Sequence, residues 1–136
     1  QYTRGLGLTI PSLRQALGLE TQGGSSGSPI EKVAFSCCDE PAFNRELSSL
    51  GRRRILLAGI EAHVCLLQTA IDLLDLDYTP VVIADCTSSR REQSKALAIE
   101  RMKAEGVLLS TCESILFELC RYAGSETFKA ISRLVK

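Results

Sequence analysis

Charge of one sign is missing from this sequence. Sixteen Lys and Arg residues balance sixteen Asp and Glu residues over 136 positions, so no whole-molecule field draws the chain to nucleic acid or to an anionic membrane. Long hydrophobic runs are missing as well. No apolar stretch approaches the ~20 residues that a membrane-spanning helix needs, and residues 1–20 lack the basic start and apolar stretch of a secretory signal peptide. Nucleic-acid partners, membrane partners and export are therefore not expected. Histidine is reduced to His63, and the six cysteines (Cys37, Cys38, Cys65, Cys86, Cys112, Cys120) contain no CxxC pair. A Cys/His zinc pattern cannot be completed from that set, so neither metal ligands nor a cofactor are expected. The thiols are expected to be free in a reducing compartment, which points to the cytoplasm. Phosphate cradles are missing too. The glycines of "TQGGSSGSP" (21–29) include no Gly-Lys-Ser/Thr and follow no strand, which disfavours a nucleotide-binding module.

What is present is a composition of 45% hydrophobic and 24% charged residues, the balance of a globular chain able to bury a core. The expectation is one domain over 1–136, loop-rich in 1–30 and an α/β core in 31–136. Asp39 is placed to cap a helix carrying Phe43, Leu47 and Leu50 on one face, with Gly51 ending it. "ILLAGI" (55–60) reads as a buried strand. Helix 64–76 leaves only Gln68, Asp72 and Asp75 as a polar stripe, so most of its circumference is covered. "TPVVIAD" (79–85) reads as a second apolar strand, and "VLLS" (107–110) as a third. Between them, Ser89-x-x-Glu92 is a capping box for a helix carrying Ile99 and Met102, closed by Gly106. Two helices follow, the last with Phe128, Ile131 and Leu134 on one side. The basic runs Arg52–Arg54 and Arg90-Arg91 read as solvated ends of elements.

Apolar strands alternating with helices describe a parallel, Rossmann-like sheet covered on both faces, a three-layer α/β/α arrangement. "ILLAGI" is too hydrophobic for a lone edge strand, yet the residues before it supply few candidates to pair with it. The sheet therefore calls for a further strand, from a longer parent chain or from a partner.

The turn between the first strand and helix 64–76 brings Cys65 to a helix start. Free N–H groups and the helix dipole favour a thiolate there, and open α/β sheets bind ligands beyond the carboxyl ends of their strands. Backbone N–H groups of such a turn can also hold the oxyanion of a tetrahedral intermediate. Against this, free cysteine is among the most buried residue types, and spacing alone favours a core role for Cys65. His63, two residues earlier on a tight turn, reads as a capping or solvent-facing side chain rather than the base of a Cys–His dyad. Asp85, Ser88, Ser89 and Arg90 sit where a strand end meets a helix. They read as structural, with rim contacts to substrate as the alternative.

"LLAGIEAHVCLLQTAIDLLD", "VVIADCTSSRREQSKALAIERM" and "GVLLSTCESILFEL" together resemble the C-terminal half of the isochorismatase-like family of cysteine hydrolases, which includes nicotinamidases and related amidases. "QYTRGLGLTIPSL" is similar to the segment after that family's second strand, and "IEKVAFSC" to the lysine-containing segment before its central helix. The resemblance implies a six-stranded parallel sheet and an aspartate, lysine and cysteine triad. By position, Cys65 is the implied nucleophile and Lys32 the implied lysine. The implied turn holds a non-proline cis peptide between Ile60 and Glu61, and the N–H groups of Glu61 and Cys65 form the implied oxyanion hole.

The family's aspartate lies on a first strand, in an Asp-x-Gln stretch, and no Asp of this chain matches it. Nicotinamidase metal-binding histidines belong to the same N-terminal region. In the family's sheet that strand neighbours the one carrying Ile55 to Ile60, so the sequence reads as an N-terminally truncated member. The implied function is hydrolysis of a small amide, ester or enol ether type substrate, impaired without the aspartate. Family members commonly assemble, so a homo-oligomer is expected. The alternative is a non-catalytic shortened paralogue serving as a binding or oligomerisation module.

Overall fold

The computed structural model describes residues 2–18 and 29–135. Most of the tract 21–29 lies outside the described residues. Two short helices, α1 (Thr3–Leu6) and α2 (Pro11–Ala16), stand in the segment expected to be loop-rich. Pro11 opens α2 at the position where a missing N–H costs nothing.

Helix α3 (Pro41–Ser49) precedes strand β1 (Arg54–Gly59). Its cap is Glu40, whose Oε1 accepts from the Ala42 N–H at 3.1 Å, and not Asp39. The reason is Pro41: a proline takes the first helical position, so the capping role falls to the residue directly before it. Gly51 ends the helix region at φ 59, a conformation that glycine adopts without a Cβ clash.

Beyond β1 the chain bends and enters a π-helical turn, Ala62–Leu66, that runs into α4 (Leu67–Asp75). The helix thus begins two residues earlier than its apolar periodicity indicates, in a wider turn in which the Leu66 N–H reaches back to the Glu61 carbonyl at 3.3 Å. Strand β2 (Thr79–Thr87), α5 (Glu92–Ala104), β3 (Leu108–Ser110), α6 (Cys112–Cys120) and α7 (Glu126–Leu134) complete the order. Arg91, with no side-chain capping hydrogen bond, stands at the cap position of α5. The Ser89–Glu92 capping box does not form, because the Ser89 hydroxyl is engaged by His63 Nδ1 at 3.0 Å.

The three strands are parallel in the order β1-β2-β3. Successive residues of a strand face opposite sides, and β2 uses both. Val82 packs with Ala62, Leu66, Leu67, Ala70, Ala98, Met102 and Val107 in the core between the sheet, the π-turn with α4, and α5. Val81 and Ile83 are buried as well. Helix α6 packs against β2 and against α7, where Phe117 and Phe128 stack at 6.1 Å between ring centroids. Ile131 is the buried residue of α7, while Leu134, expected on the same side, is exposed. This is the α/β architecture expected.

On its outer side β1 pairs with no strand among the described residues. Leu56, in the middle of that edge strand, keeps 46% of its surface exposed. A flat apolar edge of this kind is a template for further strand pairing.

Met102 is fully buried at the centre of the core cluster. Met102→Ala is expected to cost about 2–5 kcal/mol in equilibrium urea unfolding. Leu119→Ala, at a side chain 72% exposed, is expected to stay within about 0.5 kcal/mol.

Candidate active site

The bend between β1 and the π-turn is held by the end of β2. The Ala62 N–H donates to the Ser88 carbonyl at 2.9 Å, and the Ser88 N–H donates to the Gly59 carbonyl at 3.1 Å. Gly59 has φ 123, outside the range of an ordinary L-residue, which is why this turn takes a glycine. The Ile60–Glu61 peptide is cis.

Glu61 is bound through its side chain and carbonyl. Its Oε2 accepts from the Arg90 N–H at 3.1 Å, and its carbonyl accepts from the Val64 and Leu66 N–H groups. The Glu61 N–H itself has no acceptor among the described residues. His63 belongs to the same lattice, with Nδ1 at 3.0 Å from Ser89 Oγ and 3.5 Å from Glu61 Oε2. Its ring therefore ties the bend to the segment after β2. Asp85 accepts the Cys112 N–H at 2.9 Å and so fixes the start of α6.

Cys65 is the fourth residue of the π-turn and is half-buried. Between a dry core site and open solvent, it takes the intermediate position. One turn further on, Thr69 is buried on the otherwise apolar face of the helix, and its hydroxyl accepts the Cys37 N–H at 2.9 Å. That bond docks the segment 29–40 onto the helix that carries Cys65. A buried hydroxyl on an apolar helical face was the available signal for Thr69, which the sequence reading passed over.

Lys32 lies in this docked segment and is itself half-buried. Its ammonium donates to the Phe35 carbonyl at 2.5 Å and the Ala34 carbonyl at 2.8 Å, so it closes the bend of residues 32–35. It also lines a cavity of about 120 Å³ with Tyr2, Glu31, Val33 and Glu40. Cys65 does not line that cavity. A larger hollow of about 350 Å³, lined by Leu47, Arg52, Arg53 and Tyr78 among others, opens at the start of β1 and β2. It lies at the opposite end of the strands from the bend, and ligands of open α/β sheets bind beyond the carboxyl ends. We place the candidate site at the bend.

The site thus consists of a strand, a tight bend and a cysteine on the helix that follows, with a lysine segment docked on that helix. The model of the isochorismatase domain matches residues 14–114. The chain belongs to the isochorismatase family. Isochorismatase domain-containing protein 2 of Homo sapiens is 38% identical over 138 residues, covering 100% of this chain and 62% of that protein. The secreted isochorismatase effector Isc1 of Phytophthora sojae is 36% identical over 138 residues, covering 100% of this chain and 63% of that protein. The structure of MAR1 ribonuclease from Caenorhabditis elegans superposes with a TM-score of 0.83 at 34% identity, over 99% of this chain and 66% of that one. This isochorismatase-family chain thus spans somewhat under two thirds of the length of these curated relatives. Among its described residues no helix is long and apolar enough to cross a membrane.

The docked segment carries two thiols of its own, Cys37 and Cys38. Burial pushes the Cys38 thiol from 9.0 up to about 11, with the Ser36 hydrogen bond working against it and Asp72, Cys37 and Asp39 adding to it. The folded state favours the neutral thiol. Its contribution to stability is therefore present below 9.0 and lost as the pH rises through about 11. At pH 8.5, alkylation of Cys38 by iodoacetamide is expected to lag an ordinary exposed thiol by roughly 100-fold, followed by peptide mass mapping over time.

Proposed function

We propose that this chain carries the nucleophile-bearing half of a cysteine hydrolase, with Cys65 attacking a small amide, ester or enol ether type substrate. Membership of the isochorismatase family supports a hydrolase-type activity. The observation that carries the reading is the bend at Gly59–Cys65. The half-buried Cys65 stands on the first turn after a parallel strand, and the Glu61 N–H of the same bend has no acceptor among the described residues.

In the proposed reaction the Cys65 sulfur adds to the substrate's carbonyl or amide carbon. The N–H groups of Glu61 and Cys65 receive the developing oxyanion, an interaction worth about 3–4 kcal/mol per donor. Lys32, docked on the same helix through Cys37 and Thr69, supports the charge on sulfur and oxyanion. The leaving group departs as an acyl-enzyme forms, and water then releases the product. The aspartate that shuttles protons has no counterpart in this chain and belongs, in this reading, to a strand added along the open edge of β1. His63 is held by Ser89 and Glu61 and takes no part in proton transfer.

The same edge underlies the expectation of a homo-oligomer, since pairing between copies would also cover Leu56. Cytoplasmic residence fits six cysteines that form no disulfide among the described residues. A second reading, a non-catalytic module that binds or oligomerises through β1, draws on that exposed edge and on the curled Lys32 ammonium.

Intact-mass measurement after rapid acid quench with a panel of small amides and esters separates the two. The hydrolase reading expects an acyl adduct that maps to Cys65 and is absent from Cys65→Ala. Lys32→Met is expected to lower turnover by roughly 10²–10³-fold with little change in melting temperature. The reading is overturned if no adduct forms on Cys65 in a form that contains the Asp-x-Gln strand. A Lys32→Met variant that melts lower but turns over normally would make Lys32 purely a staple.

A further inference from the structure

Away from the bend, β2 contains an irregularity that its pairing explains. Leu57 pairs with Val82 and Gly59 with Thr87, so one residue of β1, Ala58, stands opposite four of β2, Ile83 to Cys86. The surplus must leave the plane of the sheet, as in any bulge. The Thr87 hydroxyl closes it by donating to the Ile83 carbonyl at 2.9 Å. On the other side of β2, Ile83 pairs with Ser110, the last residue of β3, and two residues on each chain further, Asp85 accepts the Cys112 N–H at 2.9 Å. The bulge therefore presents Cys86 to the first residue of α6, which is also a cysteine. Both side chains are exposed, and Cys112 is among the neighbours that act on the Cys86 thiol.

We propose that Cys86 and Cys112 are a redox-active pair that a hydroperoxide converts to an intramolecular disulfide joining the β2 bulge to the start of α6. The Asp85 bond to the Cys112 N–H sets the residue after Asp85 beside the first residue of α6, on neighbouring elements. Closing to an S–S bond of about 2.05 Å asks for side-chain rotation rather than rebuilding of the chain. One sulfur attacks the peroxide oxygen. The O–O bond breaks, water or an alcohol leaves, and a sulfenic acid remains. The second thiol then attacks that sulfur, the S–O bond breaks, and a second water carries away its proton and oxygen. Two electrons pass from the thiol pair to the peroxide, and a dithiol reductant returns them. Partial desolvation, then the hydrogen bond with Cys112 and the neighbouring Cys112 and Asp85 charges, hold the Cys86 proton on sulfur above its ordinary value. Either exposed thiol can meet the peroxide, and the other then resolves the sulfenic acid. The pair lies outside the Cys65 bend, so the proposal stands whether or not the hydrolase reading does.

The test treats the protein with a small molar excess of hydrogen peroxide, blocks remaining thiols with iodoacetamide, and maps peptides without reduction. The expected product is a linked peptide pair containing Cys86 and Cys112, lighter by two hydrogens, reversed by dithiothreitol, and accompanied by a rise in melting temperature of a few degrees. Cys86→Ser should lose both the linked pair and the rise, and Cys112 should instead carry a sulfenic acid that dimedone traps. Alkylated, unlinked Cys86 and Cys112 after peroxide, or a preferred link from either to another cysteine, overturns the proposal. So does an unchanged rise in melting temperature in Cys86→Ser.

Discussion

Two backbone hydrogen bonds organise this molecule: Ala62 N–H to the Ser88 carbonyl, and Ser88 N–H to the Gly59 carbonyl. They join the end of β1 to the residues after β2, and the candidate active site hangs from that junction. Opening the bend would break both bonds and leave the N–H of the buried Ala62 without its partner, which costs more than a hydrogen bond gains. His63 and Glu61 add side-chain ties to Ser89 and Arg90 in the same direction. The result is a helix start held against a strand end, with Cys65 on its first turn.

The core explains why that junction keeps its place. Ala62, the first residue of the π-turn, and Leu66, its last, are both buried against Val82 and Met102. The turn carrying Cys65 is therefore anchored by its apolar side, while the cysteine between them stays half-buried. Thr69 extends the arrangement by one turn, since its hydroxyl fastens the segment containing Lys32 to the same helix. Packing, backbone pairing and one buried hydroxyl converge on a single face. On the far side of β2, the bulge that lets Gly59 meet Thr87 also displaces Cys86 toward α6.

Much of this was legible in the residues. Three apolar runs became the three strands, and Gly51 and Gly106 stand after the helices they were expected to end, both at positive φ. Helix starts were less legible. Asp39 looked like a cap because Asp is a good capping residue, but Pro41 set the first helical position and left the role to Glu40. Ser89 looked like half of a capping box, yet its hydroxyl went to His63, a partner 26 residues away. A local rule loses wherever a long-range partner claims the same oxygen.

By itself, the sequence determined the alternation of apolar strands and helices, the parallel sheet that alternation demands, and the short stretches whose likeness placed the chain in its family. Those are properties of periodicity and local residue choice. Only the tertiary structure decided which hydroxyl bonds to which backbone group, that Lys32 curls onto Ala34 and Phe35, and that Asp85 next to Cys86 holds the N–H of Cys112. These depend on strand register and on a bulge set by packing between elements far apart in the chain. No local pattern of residues encodes such distances, because the free energy that selects them is shared across the whole core.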